Sequence, residues 1–378
     1  MHILALQPYF GGSHLAAMNG WIEHSGFEFT VLELPPRHWK WRMRQSAWTL
    51  AEEASKRWNS DSRWDVVFCT DMLNLAEFKG LVRPEIASLP SIAYFHENQF
   101  VYPTCQSDQR ESHFEITNFT TALAADEVWF NSSFNRDSML TVLTERCKNW
   151  PDYPPTKQIE QVRTKSRIQT LGIAQPLARR AQLHGQVNAD GSSLKPLHIV
   201  WAARWEHDKG PESLLEILRS LRADRFDFRI SVIGQSFRKI PQAFSDIKTE
   251  FGDLIERWGF QETADDYWSA LAEADLFLST AEHEFFGLSA VEAIAAGLYP
   301  VFPNRLSYPE LLRLFRESNV QPAKHLYSSP QEAAALIQSV RSDFEPVVNE
   351  SECEKLLWKT RAVAFDQGVK SVLSRPRW

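Results

Sequence analysis

Glu284 and Glu292 enclose seven residues, among them Phe286, Gly287 and Leu288. A carboxylate accepts two hydroxyl protons at once and therefore suits a vicinal diol. Gly287 is placed to open a helix whose first-turn amides can meet a sugar hydroxyl or a phosphate. Glu292 lies further into that helix, amid Ala290, Val291, Ala293 and Ile294, where it can reach ribose hydroxyls. A carboxylate that merely complements a helix dipole would explain Glu284, but not an acid inside so apolar a helix.

Upstream, Arg204 and Lys209 follow an apolar run. A planar fork beside a point charge suits gripping a diphosphate and stabilising it as a leaving group. Arg204, Glu206, Asp208 and Lys209 also fit a surface salt-bridge network, and both readings stand. Near the N-terminus, Phe10-Gly11-Gly12-Ser13-His14 follows another apolar run. Paired glycines let backbone amides approach a phosphate at a helix start, although a tight turn alone accounts for them. The stretch lacks GxGxxG, which disfavours a nicotinamide cofactor. His96-Glu97-Asn98 closes a further apolar run; His96 there faces a ligand or completes a local hydrogen-bond network, and Glu97 orients it or binds an acceptor diol.

These residues need elements to hold them. Apolar β-rich runs at 2–6, 29–34, 65–70, 91–96 and 127–131, then at 197–203, 228–233, 276–280 and 299–302, alternate with helical periodicity. That alternation predicts parallel sheets, and 378 residues suit two cores. The expected fold is α/β, with two Rossmann-like doubly wound domains facing across a cleft. Residues 1–175 form the first, 176–196 a linker, 197–350 the second, and 351–378 a C-terminal helix with the first domain as one place to pack. Ligands of such sheets bind where strand carboxyl ends meet helix N-termini.

Composition narrows the classes. A net charge of −7 disfavours a chain wrapped in nucleic acid, yet Arg37, Lys40, Arg42 and Arg44 stand together without an acid, as do Arg163, Lys165, Arg167, Arg179 and Arg180. Trp39 and Trp41 are interleaved with the first group. Alternation there would place both indoles on one face of a strand, as core anchors or as a stacking surface. Cys69, Cys105, Cys147 and Cys353 have no metal-ligand spacing, and neither a signal peptide nor a membrane span is present, so a cytoplasmic protein is expected.

The two glutamates around Phe-Gly, with the preceding Arg and Lys, resemble the retaining family-4 glycosyltransferases of GT-B fold. That resemblance implies Glu292 on the donor ribose, Glu284 on the transferred sugar, and Arg204 and Lys209 on the diphosphate. It implies Gly11, Gly12, Phe286, Gly287 and Leu288 along the donor, and Phe260 near the base. Further segments are FGGSH (10–14), LPPRHWKWRMRQSA (34–47), FHENQFVYP (95–103), FNSSFN (130–135), RWEHDKGPES (204–213) and STAEHEFFG (279–287). With these the chain is similar to the tRNA-queuosine mannosyltransferase family, departing from it at Phe10, where the family carries Tyr. The similarity implies mannose transfer from GDP-mannose to the cyclopentenediol of queuosine in a tRNA anticodon, with retention, without metal or other cofactor, membrane or protein partner. His96 would touch the donor sugar; His14, Arg37, Trp39, Lys40, Trp41, Arg42, Arg44, Glu97 and Asn98 would serve the tRNA acceptor. The competing readings are a family-4 enzyme with another nucleotide sugar and a lipid or glycan acceptor, and an inactive RNA-binding protein.

Overall fold

The computed structural model describes residues 1–59, 63–102, 112–174, 195–237, 239–315, 321–340 and 350–375. Residues 176–194 of the expected linker lie outside them, as do Pro103, Cys105, Arg179 and Arg180. The chain divides into two compact units, Met1–Ile173 with Leu356–Trp378, and Ala174–Lys355.

The first unit is built on six parallel strands: β1 (His2–Gln7), β2 (Glu28–Glu33), β3 (Val66–Thr70), β4 (Ser91–Phe95), β5 (Glu127–Phe130) and β6 (Ser166–Ile168), in the order β2-β1-β3-β4-β5-β6. The inner strands β3, β4 and β5 are buried at every position, as a sheet covered on both faces requires. The second unit holds β7 (Leu197–Ala202), β8 (Phe228–Ile233), β9 (Ile255–Gly259), β10 (Leu276–Leu278), β11 (Tyr299–Pro303) and β12 (Leu326–Tyr327), ordered β12-β11-β10-β7-β8-β9. Both are doubly wound α/β sheets. Winding reverses between β1 and β3 in one unit and between β7 and β10 in the other, and ligand crevices form outside strand carboxyl ends at such reversals. Sequence patterning did not foresee β6, β9 and β12. Two are very short, and β9, Ile-Glu-Arg-Trp-Gly, is nowhere fully buried, so none shows a core run.

Trp39–Arg57 is a helix, not the strand that the alternation of Trp39 and Trp41 suggested. Met43, Ala47, Leu50, Ala51 and Ala54 are buried along it, a helical spacing that outweighs two alternating indoles. The last helix, Trp358–Leu373, packs on the helix Gly12–His24 of the first unit. Gly20 and Gly172 make room for the Trp358 indole: a Cβ on either would stand 2.2 or 2.5 Å from it. Asp366 accepts hydrogen bonds from Trp21 Nε1 (2.9 Å), Ser25 Oγ (2.7 Å) and the Gly26 amide (2.9 Å).

Candidate active site

In the second unit two loops meet at the β7/β10 reversal. Gly210, after β7, takes φ 65°, and a Cβ there would stand 2.2 Å from the Thr280 carbonyl oxygen, so only glycine lets the loops touch. Thr280 Oγ1 accepts from Trp201 Nε1 (2.9 Å) and donates to the Lys209 carbonyl (2.8 Å). Lys209 is buried. Its Nζ donates to the His283 carbonyl at 2.8 Å and stands 3.3 Å from Asp208 and 3.4 Å from Glu284. Burial works against the ammonium, but Glu284 and Asp208 more than offset it and hold its pKa above the ordinary lysine value. Burial, then the charge of Lys209, bring His283 down to about 4, so its imidazole is neutral. Arg204 is exposed and pairs with Glu206 at 3.2 Å. The surface network of four charges is therefore half right: Arg204–Glu206 is a surface pair, whereas Lys209 is a buried hub.

Gly287, at φ 88°, caps the helix Leu288–Ala295. The amides of its first turn precede the first intrahelical bond and aim at the loop side. Phe286, expected along the donor, is buried instead and anchors this turn, with Ser307 Oγ donating to its carbonyl at 3.0 Å. Leu288 and Glu284 are half-buried. Burial lifts Glu292 to about 7, while the Tyr267 hydroxyl, donating to it at 2.7 Å, pulls the other way. Phe260 follows Gly259 (φ 91°) at the end of β9 and is 58% exposed, an aromatic face open to solvent. Trp205 stacks on Phe244 (4.5 Å, 7°) and meets Trp258 edge-on at 4.8 Å, fixing the β7 loop against β9.

In the first unit the carboxyl ends of β1, β3 and β4 carry the other candidates. Gly11 is extended, and a Cβ there would stand 2.5 Å from Pro36, so close packing explains it. Gly12 takes φ 54° with open space where a Cβ would point. His14 and His96 lie ring on ring, centroids 4.0 Å apart, and Tyr94 meets His96 edge-on at 4.7 Å. Burial, then His14, hold the His96 pKa well below the usual histidine value. The turn carrying His96 is fixed from several sides. Asp71 Oδ1 accepts the His96 amide (2.9 Å), Asn131 Nδ2 donates to the His96 carbonyl (2.7 Å), and Asn118 bridges the Asp71 carbonyl (2.8 Å) and the Gln99 amide (2.7 Å). The backbone of His96 thus closes a local network, while its ring is held on the sheet's carboxyl edge. Asn98 does not contact solvent. It is 0% exposed, donates to Asn135 Oδ1 (2.9 Å) and accepts from the Phe100 amide (3.1 Å), so it holds the turn and is corrected from an acceptor contact to a structural residue. Glu97 is half-buried and accepts from Gln99 Nε2 at 3.1 Å.

Gln7 Oε1, Thr70 Oγ1, Asp71 Oδ2 and His96 Nδ1 gather at these same strand ends, buried and without a hydrogen-bond partner among the described residues. Each such group costs about 1–3 kcal/mol, and this strand edge retains four of them. Burial, then the charge of Glu97, raise the Asp71 carboxyl well above its usual range.

Residues 2–173 match the family described as tRNA-queuosine alpha-mannosyltransferase N-terminal, and residues 187–343 the family described as Glycosyl transferases group 1. A tRNA-queuosine alpha-mannosyltransferase of Drosophila melanogaster is 35% identical over 335 residues, 86% of each chain. The chain belongs to the tRNA-queuosine alpha-mannosyltransferase family. It is a glycosyltransferase. A more distant relative, the GDP-mannose:cellobiosyl-diphosphopolyprenol alpha-mannosyltransferase of Xanthomonas campestris, is 23% identical over 152 residues, 39% of each chain. Among solved structures, sucrose-phosphate synthase from Thermosynechococcus elongatus superposes with a TM-score of 0.71 at 13% identity, covering 99% of this chain and 100% of that one. This likeness is one of fold, and the fold is GT-B.

The basic stretch that family membership draws attention to is not uniform. Trp39 is half-buried, packed on Phe114 (5.4 Å) and Tyr102 (6.0 Å) beside Met43 and Met72, and so anchors the helix start. Arg42 is half-buried, with Nε donating to the Pro35 carbonyl at 3.1 Å. Arg37, Lys40, Trp41 and Arg44 are exposed. In the second basic group, Lys165 donates to the Leu123 (2.7 Å) and Ala125 carbonyls at a helix end, and burial lowers its pKa to about 8. Arg167 pairs with the buried Glu127 at 2.6 Å. Both are structural. Tyr267, Asp71 and Asn118 escaped the sequence reading, since none stands within a motif and each acts on a loop distant in sequence; Asn131 and Trp205 lie inside quoted segments, but nothing local gave them a role of their own.

Proposed function

We propose that this chain transfers mannose from GDP-mannose, with retention, to the cyclopentenediol of queuosine in a tRNA anticodon. The observation that carries this reading is the relative of that name, 35% identical across 86% of both chains. The GDP-mannose named for the Xanthomonas relative supports the choice of donor.

In the second unit, Glu292 receives the ribose hydroxyls, and Glu284 with the amides beyond Gly287 receives the sugar. Arg204 and Lys209 carry the diphosphate, Lys209 exchanging one of its longer carboxylate contacts for a phosphate oxygen. In the first unit, the Gly12 amide and the neutral His96 ring contribute to the donor, and Glu97 to the acceptor diol. An acceptor hydroxyl attacks the anomeric carbon on the face from which GDP leaves. The bond from carbon to phosphate oxygen breaks, the new glycosidic bond forms, and the hydroxyl proton passes to the departing phosphate. No protein nucleophile is needed; catalysis rests on positioning and on charge aimed at the leaving group. Two cationic side chains supply that charge, and we read the reaction as independent of metal. Cys69, Cys147 and Cys353 are free thiols, in keeping with a cytoplasmic enzyme, and among the described residues no helix is long and apolar enough to cross a membrane.

The test is transfer of labelled mannose from GDP-mannose to queuosine-containing tRNA, with the same tRNA lacking queuosine as comparison. Label on the first alone supports the reading. Equal labelling of both would refute the acceptor, and label from UDP-sugars in preference would refute the donor.

A further inference from the structure

The helix Trp39–Arg57 starts at the carboxyl edge of the first sheet and presents two indoles to solvent. Trp41 is 57% exposed and Trp48 46%, and they meet edge-on, centroids 6.1 Å apart at 73°. Positions 41, 44 and 48 share one helical face, and Arg44 and Lys40 are exposed beside the indoles. No acid occurs between Glu33 and Glu52, so the patch is basic on a chain whose net charge is −7. The opposite face is fully committed: Met43, Ala47 and Leu50 are buried in the unit. Folding therefore accounts for one side of this helix and leaves two large aromatic side chains on the other.

The edge-on contact of these two indoles still leaves about half of each side chain open to solvent. Any nucleobase has a π-face that stacks on such a ring, and neighbouring Lys and Arg hold the phosphate that comes with it. We propose that Trp41 and Trp48, flanked by Lys40 and Arg44, form a stacking platform for an unpaired nucleotide of the acceptor RNA, with Trp48 a contact in its own right. This inference rests on the proposed tRNA acceptor and moves its aromatic contact from Trp39, which anchors the core, to Trp48.

The full chain should be titrated with queuosine-containing tRNA, and KM and kcat for mannose transfer measured, for wild type, Trp48→Ala, Trp48→Phe and Lys40→Ala/Arg44→Ala. Loss of one stacked base weakens binding by roughly five-fold or more. The platform predicts that Trp48→Ala raises Kd and KM for tRNA by at least that much with kcat within two-fold, and that Trp48→Phe recovers most of the loss. The logarithmic salt slope should stay unchanged in Trp48→Ala and become shallower in the double variant. A wild type that transfers mannose while Trp48→Ala binds tRNA equally well overturns the platform and leaves the proposed function intact. A wild type that neither binds tRNA nor transfers to it overturns both. A Trp48→Ala defect seen equally with anionic lipid vesicles, or one that Trp48→Phe does not relieve, also counts against the platform.

Discussion

Glu292 shows how burial sets the chemistry of one side chain. With its pKa lifted to about 7 by burial, the carboxyl changes from neutral to ionised across the physiological range, and only the ionised form accepts two hydroxyl protons. Donor affinity should therefore rise between about pH 6 and 8, whereas Glu292→Gln should bind GDP-mannose more weakly and without that rise; calorimetry across this range checks both. The sign for stability is opposite. A folded pKa above the unfolded value of about 4.3 favours the neutral form, so this group's stabilising contribution is present below pH 4.3 and is lost as pH rises through 7. Asn98 provides a second prediction. Removing its amide in Asn98→Ala takes the acceptor from the Phe100 amide and the Asn98 donor from Asn135 Oδ1 and should cost about 1–3 kcal/mol in urea denaturation; an unchanged midpoint would contradict the structural role given to Asn98. Glu292 was legible in sequence because an acid in an apolar helix calls for a reason. Tyr267, which holds it, was not, since nothing local links residues 25 apart.

At the scale of elements, strands announced themselves where both faces are covered, and failed to where they are short or half-exposed, as in β6, β9 and β12. The Gly-Gly turn was legible as a turn, but its two glycines have different causes: Gly11 yields to Pro36, and Gly12 needs its left-handed backbone. The closing helix illustrates a dependence that periodicity does not contain. Its Trp358 fills space left by Gly20 and Gly172, positions far apart in sequence. Trp358→Ala should destabilise the first unit by about 3–5 kcal/mol, seen as an earlier loss of its tertiary near-UV signal in denaturant. Gly20→Ala should do comparable harm from the other side, because the added methyl meets the indole.

Across the whole molecule, each sheet reverses its winding once, and the candidate residues collect at those reversals: Gly12, Asp71 and His96 in one unit, Arg204, Lys209 and Glu284 in the other. The two families matched along the chain divide much as the units do, the N-terminal match ending at residue 173. The family model specific to tRNA-queuosine mannosyltransferases thus lies on the first unit and the general glycosyltransferase model on the second, while the Drosophila relative spans both. The most direct test of the account is mass analysis of nucleosides released from queuosine-containing tRNA after incubation with purified protein and GDP-mannose. The account predicts that queuosine gains the mass of one hexose, and that Glu292→Ala abolishes or sharply reduces the gain. Unmodified queuosine under conditions where wild type demonstrably binds both GDP-mannose and the tRNA would contradict it.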